Sequence, residues 1–249
     1  MRNTLTNKRI AVTRPAHQSA PMCLMLKARG AKVLEFPTIR VEPTSDPQPL
    51  LQALSELDKF DRVIFTSVNG VMHTWQNLEG PWPNSVRVAA IGPATAAALR
   101  SRNVEPDFVP SEYVAEALAS GLESVRGQRI LLPRASRARP ALAELLRAGG
   151  AQVRTVTAYE THVNRPSDAA YAALADGTDA VTFTSGSTVE GFAALFPLPN
   201  TAMTAACIGP ITAGVASRSG FKVAVVAKTY TTKGLVTALE EYFEKPEQT

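Results

Sequence analysis

The chain has 249 residues, 45% of them hydrophobic, and a net charge of +4 without any block of like charges. That is enough apolar content for one large or two small cored domains, and it lacks the electrostatic footprint of a nucleic-acid binder while leaving small anions open as ligands. No apolar stretch approaches a membrane span or a signal peptide, and Cys23 and Cys207, both among apolar residues, read as buried free thiols of a reducing compartment, so a cytoplasmic protein is expected.

Short β-branched runs alternate with helical patterns from end to end, as in βαβ units around parallel sheets. In chain order, strands are predicted over Arg9 to Thr13, Lys32 to Phe36, Arg62 to Thr66, Arg87 to Ile91 and Pro106 to Val109. They continue over Arg129 to Leu132, Gln152 to Thr157, Ala180 to Thr184, Thr204 to Ile208 and Lys222 to Val226. Between strands, Leu142, Leu145 and Leu146 share one helical face, as do Leu235, Val236, Leu239, Tyr242 and Phe243, and both sets read as core stripes. Gly30 and Gly150 fall where a helix ends in a left-handed cap. The polar ends, 1–7 and 245–249, are expected to fray.

The chain repeats itself. Lys8-Arg9-Ile10-Ala11-Val12-Thr13-Arg14 returns as Gln128-Arg129-Ile130-Leu131-Leu132-Pro133-Arg134, and Phe65-Thr66-Ser67 returns as Phe183-Thr184-Ser185. Ile91-Gly92-Pro93-Ala94-Thr95-Ala96 returns as Ile208-Gly209-Pro210-Ile211-Thr212-Ala213, the offsets being 120, 118 and 117 residues. A period this long is a duplicated domain-sized unit rather than a solenoid. The segments 38–43 and 158–164 each follow the second strand of a repeat and alternate apolar with polar residues in an extended pattern, as a pair of crossing linkers would. The expected fold class is therefore α/β: two similar parallel-sheet, flavodoxin-like or Rossmann-like lobes joined by a two-stranded linker. One lobe is discontinuous (1–37 plus 165–249), the other is 44–157, and a cleft is expected where they face each other.

In open α/β sheets, ligands bind beyond the carboxyl ends of the strands, where helix N-termini point. Thr66-Ser67-Val68-Asn69-Gly70 and Thr184-Ser185-Gly186-Ser187-Thr188 both sit at such junctions and offer hydroxyls and unpaired backbone N–H groups to an anion. Gly92-Pro93-Ala94-Thr95 and Gly209-Pro210-Ile211-Thr212 are a second pair, with glycine for the turn and proline at the first helical position. Any one of these Ser and Thr residues is explained as a simple N-cap, but four junctions on matched strand ends point to a carboxylate or phosphate ligand. Arg14 and Arg134 end the first strand of each repeat and suit bidentate capture of a carboxylate; a salt bridge is the alternative, more so for Arg134.

The histidines, His17, His73 and His162, are far apart and lack metal-ligand spacing, so no metal site is expected. No Cys/His pair, G-x-S-x-G elbow, Walker loop or G-x-G-x-x-G fingerprint occurs, which disfavours nucleophilic, nucleotide-hydrolysing and NAD-dependent chemistry. A reaction here would depend on positioning and hydrogen bonds, with Tyr159 in the hinge as the phenol placed to face a cleft; its alternative reading is a packed linker aromatic.

These motifs in this order resemble the uroporphyrinogen-III synthase family. The likeness runs through Val12-Thr13-Arg14-Pro15, Phe65-Thr66-Ser67-Val68-Asn69-Gly70, Ile91-Gly92-Pro93-Ala94-Thr95-Ala96, Tyr159-Glu160-Thr161, Phe183-Thr184-Ser185-Gly186-Ser187-Thr188 and Ile208-Gly209-Pro210-Ile211-Thr212-Ala213. Gly70 and Gly186 stand where many relatives carry Ala and Pro. The resemblance implies two α/β lobes and a cofactor-independent reaction in which the linear tetrapyrrole hydroxymethylbilane loses water, inverts its terminal ring D through a spirocyclic intermediate and closes as the type III isomer. For this reaction Tyr159 is expected to serve as hydrogen-bond donor or acid to the departing hydroxyl. Ser67, Thr95, Ser185 and Thr212 would hold substrate carboxylates with their backbone amides, and Arg14, Asn69, Arg134 and Ser187 complete the expected substrate-binding set. The expected partner is this small molecule, with no nucleic acid and no membrane, and the chain is expected to act as a monomer. A two-lobed module that binds a small anion without converting it is the competing reading.

Overall fold

The computed structural model describes residues 4–196 and 203–244. In chain order it runs β1 (Arg9–Val12), α1 (Ala16–Lys27), β2 (Lys32–Glu35), β3 (Ile39–Pro43), α2 (Gln48–Ser55), a 3-10 turn (Leu57–Lys59), β4 (Arg62–Phe65), α3 (Val68–Asn77), β5 (Arg87–Ala90), α4 (Pro93–Arg100) and α5 (Ala115–Gly121). It continues with β6 (Arg129–Ala135), α6 (Ala141–Ala148), β7 (Gln152–Val163), α7 (Asp168–Ala175), β8 (Ala180–Phe183), α8 (Gly186–Leu195), β9 (Thr204–Cys207), α9 (Pro210–Arg218), β10 (Val223–Val226) and α10 (Thr232–Phe243). The chain divides into two compact units, one comprising Met1–Arg40 and His162–Thr249 and the other Val41–Thr161, so that β3 and β7 each run through the boundary.

The first unit holds a parallel five-stranded sheet in the order β10-β9-β8-β1-β2. Numbered within the unit this is the doubly wound order 2-1-3-4-5, whose direction reverses between β1 and β8. The central strands are buried along nearly their whole length, which is why they read as continuous apolar runs rather than alternating ones. One face packs Ile10, Val12, Met22 and Leu26 against Leu235, Val236 and Leu239. The other packs Phe36, Phe183, Phe192 and Phe221, whose rings meet at centroid separations of 5.3 to 5.8 Å.

The second unit repeats the design with changes. Its mostly parallel sheet runs β3-β7-β6-β4-β5, with Leu50, Val63, Phe65 and Leu131 on one face and Ile64, Ile130, Leu142 and Leu146 on the other. The strand expected over Pro106 to Val109 is reduced to one parallel bridge, Ala89 to Phe108. Pro106 and Pro110 flank it, and a proline has no N–H to give a ladder. Asp107 in this segment instead receives both hydrogen bonds of the buried Arg62 guanidinium, each 2.7 Å long.

Further departures concern the termini, one helix stripe and the linkers. Residues 4–7 are not frayed: Leu5 is fully buried, its amide donates to the Arg29 carbonyl (3.0 Å), and Thr4 donates to Glu240 (2.8 Å). This turn packs over Gly30, where φ is +87° and an added Cβ would lie 2.9 Å from Thr6 Oγ1, so glycine is needed for both conformation and space. The expected frayed residues 1–3 and 245–249 lie outside the described ones. On α6, Leu142 and Leu146 are core but Leu145 is 39% exposed. The second linker is no separate strand, because β7 continues unbroken from Gln152 to Val163.

Where the chain leaves the first unit it is held tightly. Thr38 is fully buried and donates to the Thr188 carbonyl (3.0 Å), while Asn164 donates to the carbonyls of Pro37 (2.7 Å) and Thr38 (2.9 Å). Gly191 of α8 makes this approach possible: a Cβ there would lie 2.6 Å from the Thr38 carbonyl oxygen. Alanine adds about 1 kcal/mol of helix propensity, but overpacking against backbone costs about 1–3 kcal/mol. Gly191→Ala is therefore expected to lower the urea midpoint of unfolding, and an unchanged or raised midpoint would contradict the close approach.

Candidate active site

At the carboxyl end of β4 the chain turns into α3, and Ser67 caps the helix with extended backbone and a side chain that accepts from the Gly70 amide (3.0 Å). At the matched end of β8, Ser185 caps α8 by accepting from Thr188, whose hydroxyl in turn accepts from the Ser185 amide, forming a capping box. Ser187 Oγ lies 2.9 Å from Ser185 Oγ. The ends of β5 and β9 turn at Gly92 and Gly209, with Pro93 and Pro210 opening α4 and α9. Gly92 has φ +84°, a conformation that favours glycine. Each turn leaves first-turn amides outside the helix ladder and the positive end of the helix facing outwards.

Tyr159 is the most elaborately held of the expected residues. Along β6 and β7, Arg134 pairs with Thr157 but Ala135 pairs with Tyr159, so Ala158 is an extra residue in a bulge. A bulge re-aims the side chain that follows it, and here consecutive residues Ala158 and Tyr159 both turn into the same core cluster. The phenol is 7% exposed, its oxygen is 3.0 Å from Ser67 Oγ, and the Asn69 side chain also hydrogen-bonds to it. Burial pushes the phenol above its ordinary value, and the bonds from Ser67 and Asn69 partly oppose this. Ser67 Oγ accepts from the Gly70 amide and lies within hydrogen-bond distance of the phenol, with either hydroxyl able to donate. Tyr159 is 7% exposed, with its oxygen at the start of α3.

The two arginines differ although they occupy equivalent positions. Arg14 is largely desolvated, which lowers its pKa. Its hydrogen-bond partner is Gln18 (3.3 Å), and its Nε is buried without one among the described residues. A desolvated guanidinium so weakly satisfied is strongly stabilised by a carboxylate. Arg134 instead donates to the carbonyls of Ala138 and Arg139 and so ties down its own loop. Two of its five N–H donors are thereby engaged within its own loop. Thr95 and Thr212 are buried, at 4% and 5% exposure, in the first turns of α4 and α9.

Three further residues escaped the sequence reading. His73, considered there only as a metal ligand, is 3% exposed and stacks on Tyr159, with ring centroids 5.6 Å apart and planes 17° from parallel. Tyr113 and Tyr230 lie over Gly92 and Gly209, where an added Cβ would sit 3.4 and 3.2 Å from the respective rings. They share the 117-residue offset of the two glycines, a signal present in the chain. Beside Tyr230, Thr231 caps α10 by accepting from Gly234 (3.0 Å), and a recess of about 360 Å³ is lined by Lys228, Thr229, Thr231 and Lys233. The equivalent groove beside Tyr113, about 890 Å³, carries Glu112 and Glu116 instead.

Two doubly wound α/β units with hydroxyl-capped helix N-termini at their strand ends, one desolvated arginine and one buried phenol define a duplicated fold suited to an anionic organic substrate. The family model described as uroporphyrinogen-III synthase HemD matches residues 22–237. The uroporphyrinogen-III synthase of Synechococcus elongatus is 33% identical, the match covering 96% of each chain; that of Chlorobaculum parvum is 28% identical, covering 94% of this chain and 98% of the relative. Among solved structures, a uroporphyrinogen III synthase from Thermus thermophilus matches with a TM-score of 0.68 at 21% identity, covering 96% of this chain and 100% of the other. The enzyme from Helicobacter pylori gives 0.62 at 20%, covering 94% and 99%. The chain belongs to the uroporphyrinogen-III synthase family.

The raised Tyr159 pKa has a consequence for stability. The folded protein holds this proton more tightly than the unfolded chain, so the contribution is present below about pH 10 and lost as pH rises through the raised value. Cys207, whose thiol burial pushes up to about 12, adds a decline that starts nearer pH 9. Urea unfolding between pH 8 and 11 should therefore show falling stability, with a shallower fall in Tyr159→Phe. Equal slopes in the two proteins would mean that the phenol is not shielded.

Proposed function

We propose that the protein catalyses the reaction of its family, closing hydroxymethylbilane to uroporphyrinogen III in tetrapyrrole (haem) biosynthesis, as a lyase that releases water. The substrate bears acetate and propionate groups on each pyrrole ring. Arg14, the hydroxyls of Ser67, Ser185 and Ser187, the Asn69 amide and the first-turn amides near Thr95 and Thr212 are the donors that would meet them. Arg134 contributes by fixing the 136–140 loop. Because the activated bilane can close unaided to the type I isomer, the protein's main task is geometric: to fix which carbon of ring D attacks.

The observation that carries the reading is the buried phenol of Tyr159 with Ser67 and Asn69 as hydrogen-bond partners on its oxygen; with Ser67 as donor, the phenolic hydrogen is available to a ligand. In the first step the C–O bond of the terminal hydroxymethyl group breaks, and the departing hydroxyl takes a proton along the Tyr159 hydrogen bond to leave as water. In the last step the pyrrole carbon that joins the macrocycle loses a proton, which restores the phenol. The net change is loss of one water molecule. A phenol is a weak acid, so the hydrogen bond to the leaving oxygen matters more than full proton transfer, and Ser67 and Asn69 help by stabilising charge on the phenolic oxygen.

We place the protein in the cytoplasm as a monomer that uses neither nucleic acid nor membrane as a partner. The buried free thiols Cys23 and Cys207 suit a reducing compartment. Among the described residues no helix is long and apolar enough to cross a membrane.

Two measurements test the function. Incubation with freshly prepared hydroxymethylbilane and separation of the uroporphyrin isomers should give type III in excess; type I alone would leave only the binding-module reading. Tyr159→Phe should slow type III formation by about tenfold to a thousandfold, within the usual range for a general acid. Wild-type turnover in that variant would remove the donor role.

A further inference from the structure

We propose that His73 is the positioning residue of Tyr159: its imidazole fixes the plane of the phenol ring and thereby the direction in which the phenolic hydrogen points. This rests on Tyr159 being the donor to the departing hydroxyl. A phenolic O–H is conjugated with its ring and lies in the ring plane, so rotation about the Cβ–Cγ bond swings the hydrogen while hardly moving the oxygen. That torsion is broad and soft in tyrosine, and hydrogen bonds made to the oxygen alone do not set it.

The structure supplies what sets it. Asn69 and His73 are one turn apart on α3 and share a face. Asn69 reaches the phenolic oxygen, and His73 lies flat against the ring at 5.6 Å and 17°. Ser67 at the start of the same helix supplies the second hydrogen-bond partner of the oxygen. One helical segment thus fixes both where the oxygen sits and how the ring is turned. His73 is buried on α3 and stacked on the Tyr159 ring, so it acts through the tyrosine and does not need to touch substrate. Near-parallel stacking suits a flat side chain.

The decisive comparison is between two apolar replacements of similar bulk, one flat and one not. His73→Phe keeps a flat face and should retain kcat within about threefold. His73→Leu fills the space without one and should lower kcat by about tenfold with KM changed less than twofold, and the type III share of product should fall. In the double variant Tyr159→Phe/His73→Leu the rate should match that of Tyr159→Phe alone, since a residue acting through the phenol has nothing left to orient. Multiplying losses in the double variant, or equal kcat in the Phe and Leu variants, would overturn the proposal while leaving the donor role standing. A wild-type rate for Tyr159→Phe alone would overturn both. Urea midpoints of all four proteins separate loss of folded protein from loss of turnover.

Discussion

A helix that starts at the end of a parallel strand leaves backbone N–H groups pointing away from the sheet, and these must be met by a cap, by water or by a ligand. The rest of this structure is arranged around that constraint. Ser67 and Ser185 each satisfy one amide with their own oxygen and leave the remainder of the first turn available. Gly92 and Gly209 with their following prolines make the second set by removing one donor and aligning the others. For a substrate carrying a carboxylate on every arm, amide donors are a better match than a few point charges. They are fixed by backbone geometry, need no counter-ion when empty, and do not lose orientation when one side chain is replaced.

The two halves use this common frame differently. Arg14 is followed directly by Pro15 and the start of α1, so few backbone carbonyls lie within its reach and its fork stays weakly satisfied. Arg134 is followed by the loop 136–140, whose carbonyls take up the guanidinium. Likewise the recess at α10 presents Lys233 beside Lys228, which pairs with Glu241 of the same recess at 2.9 Å, whereas its counterpart at α5 presents Glu112 and Glu116. The two halves thus differ in charge at matched positions.

Much of the frame was legible in the chain because it depends on residues with narrow conformational roles. Gly30 and Gly150 do mark helix ends, with φ of +87° and +89°, and the Ser and Gly-Pro junctions do start helices. The misses share a cause, which is that they depend on neighbours distant in sequence. Pro106 and Pro110 reduce a strand-like run to a single bridge because the ladder needs donors they lack. Leu145 falls off the core face because its neighbours across α6 belong to a different segment. The surroundings of Tyr159 follow from a one-residue bulge at Ala158 and from α3, and no local pattern announces either. His73 illustrates the limit from the other side: the sequence weighed it only as a metal ligand and set that aside, whereas in the fold it stacks on a ring face.

The bridge at Phe108 also bears on how a duplicated chain reaches its native state. Two halves with near-identical strand ends offer each other plausible wrong partners while folding, and parallel strands are slow to find their register. An outer edge of β5 with a full set of N–H donors would invite a strand from the other half, or from another molecule. Bracketing that edge with prolines at 106 and 110, and engaging Asp107 with Arg62, leaves an intruding strand without a continuous ladder to copy. A single bridge in place of a regular strand beyond β5 thus disfavours internal mispairing and aggregation.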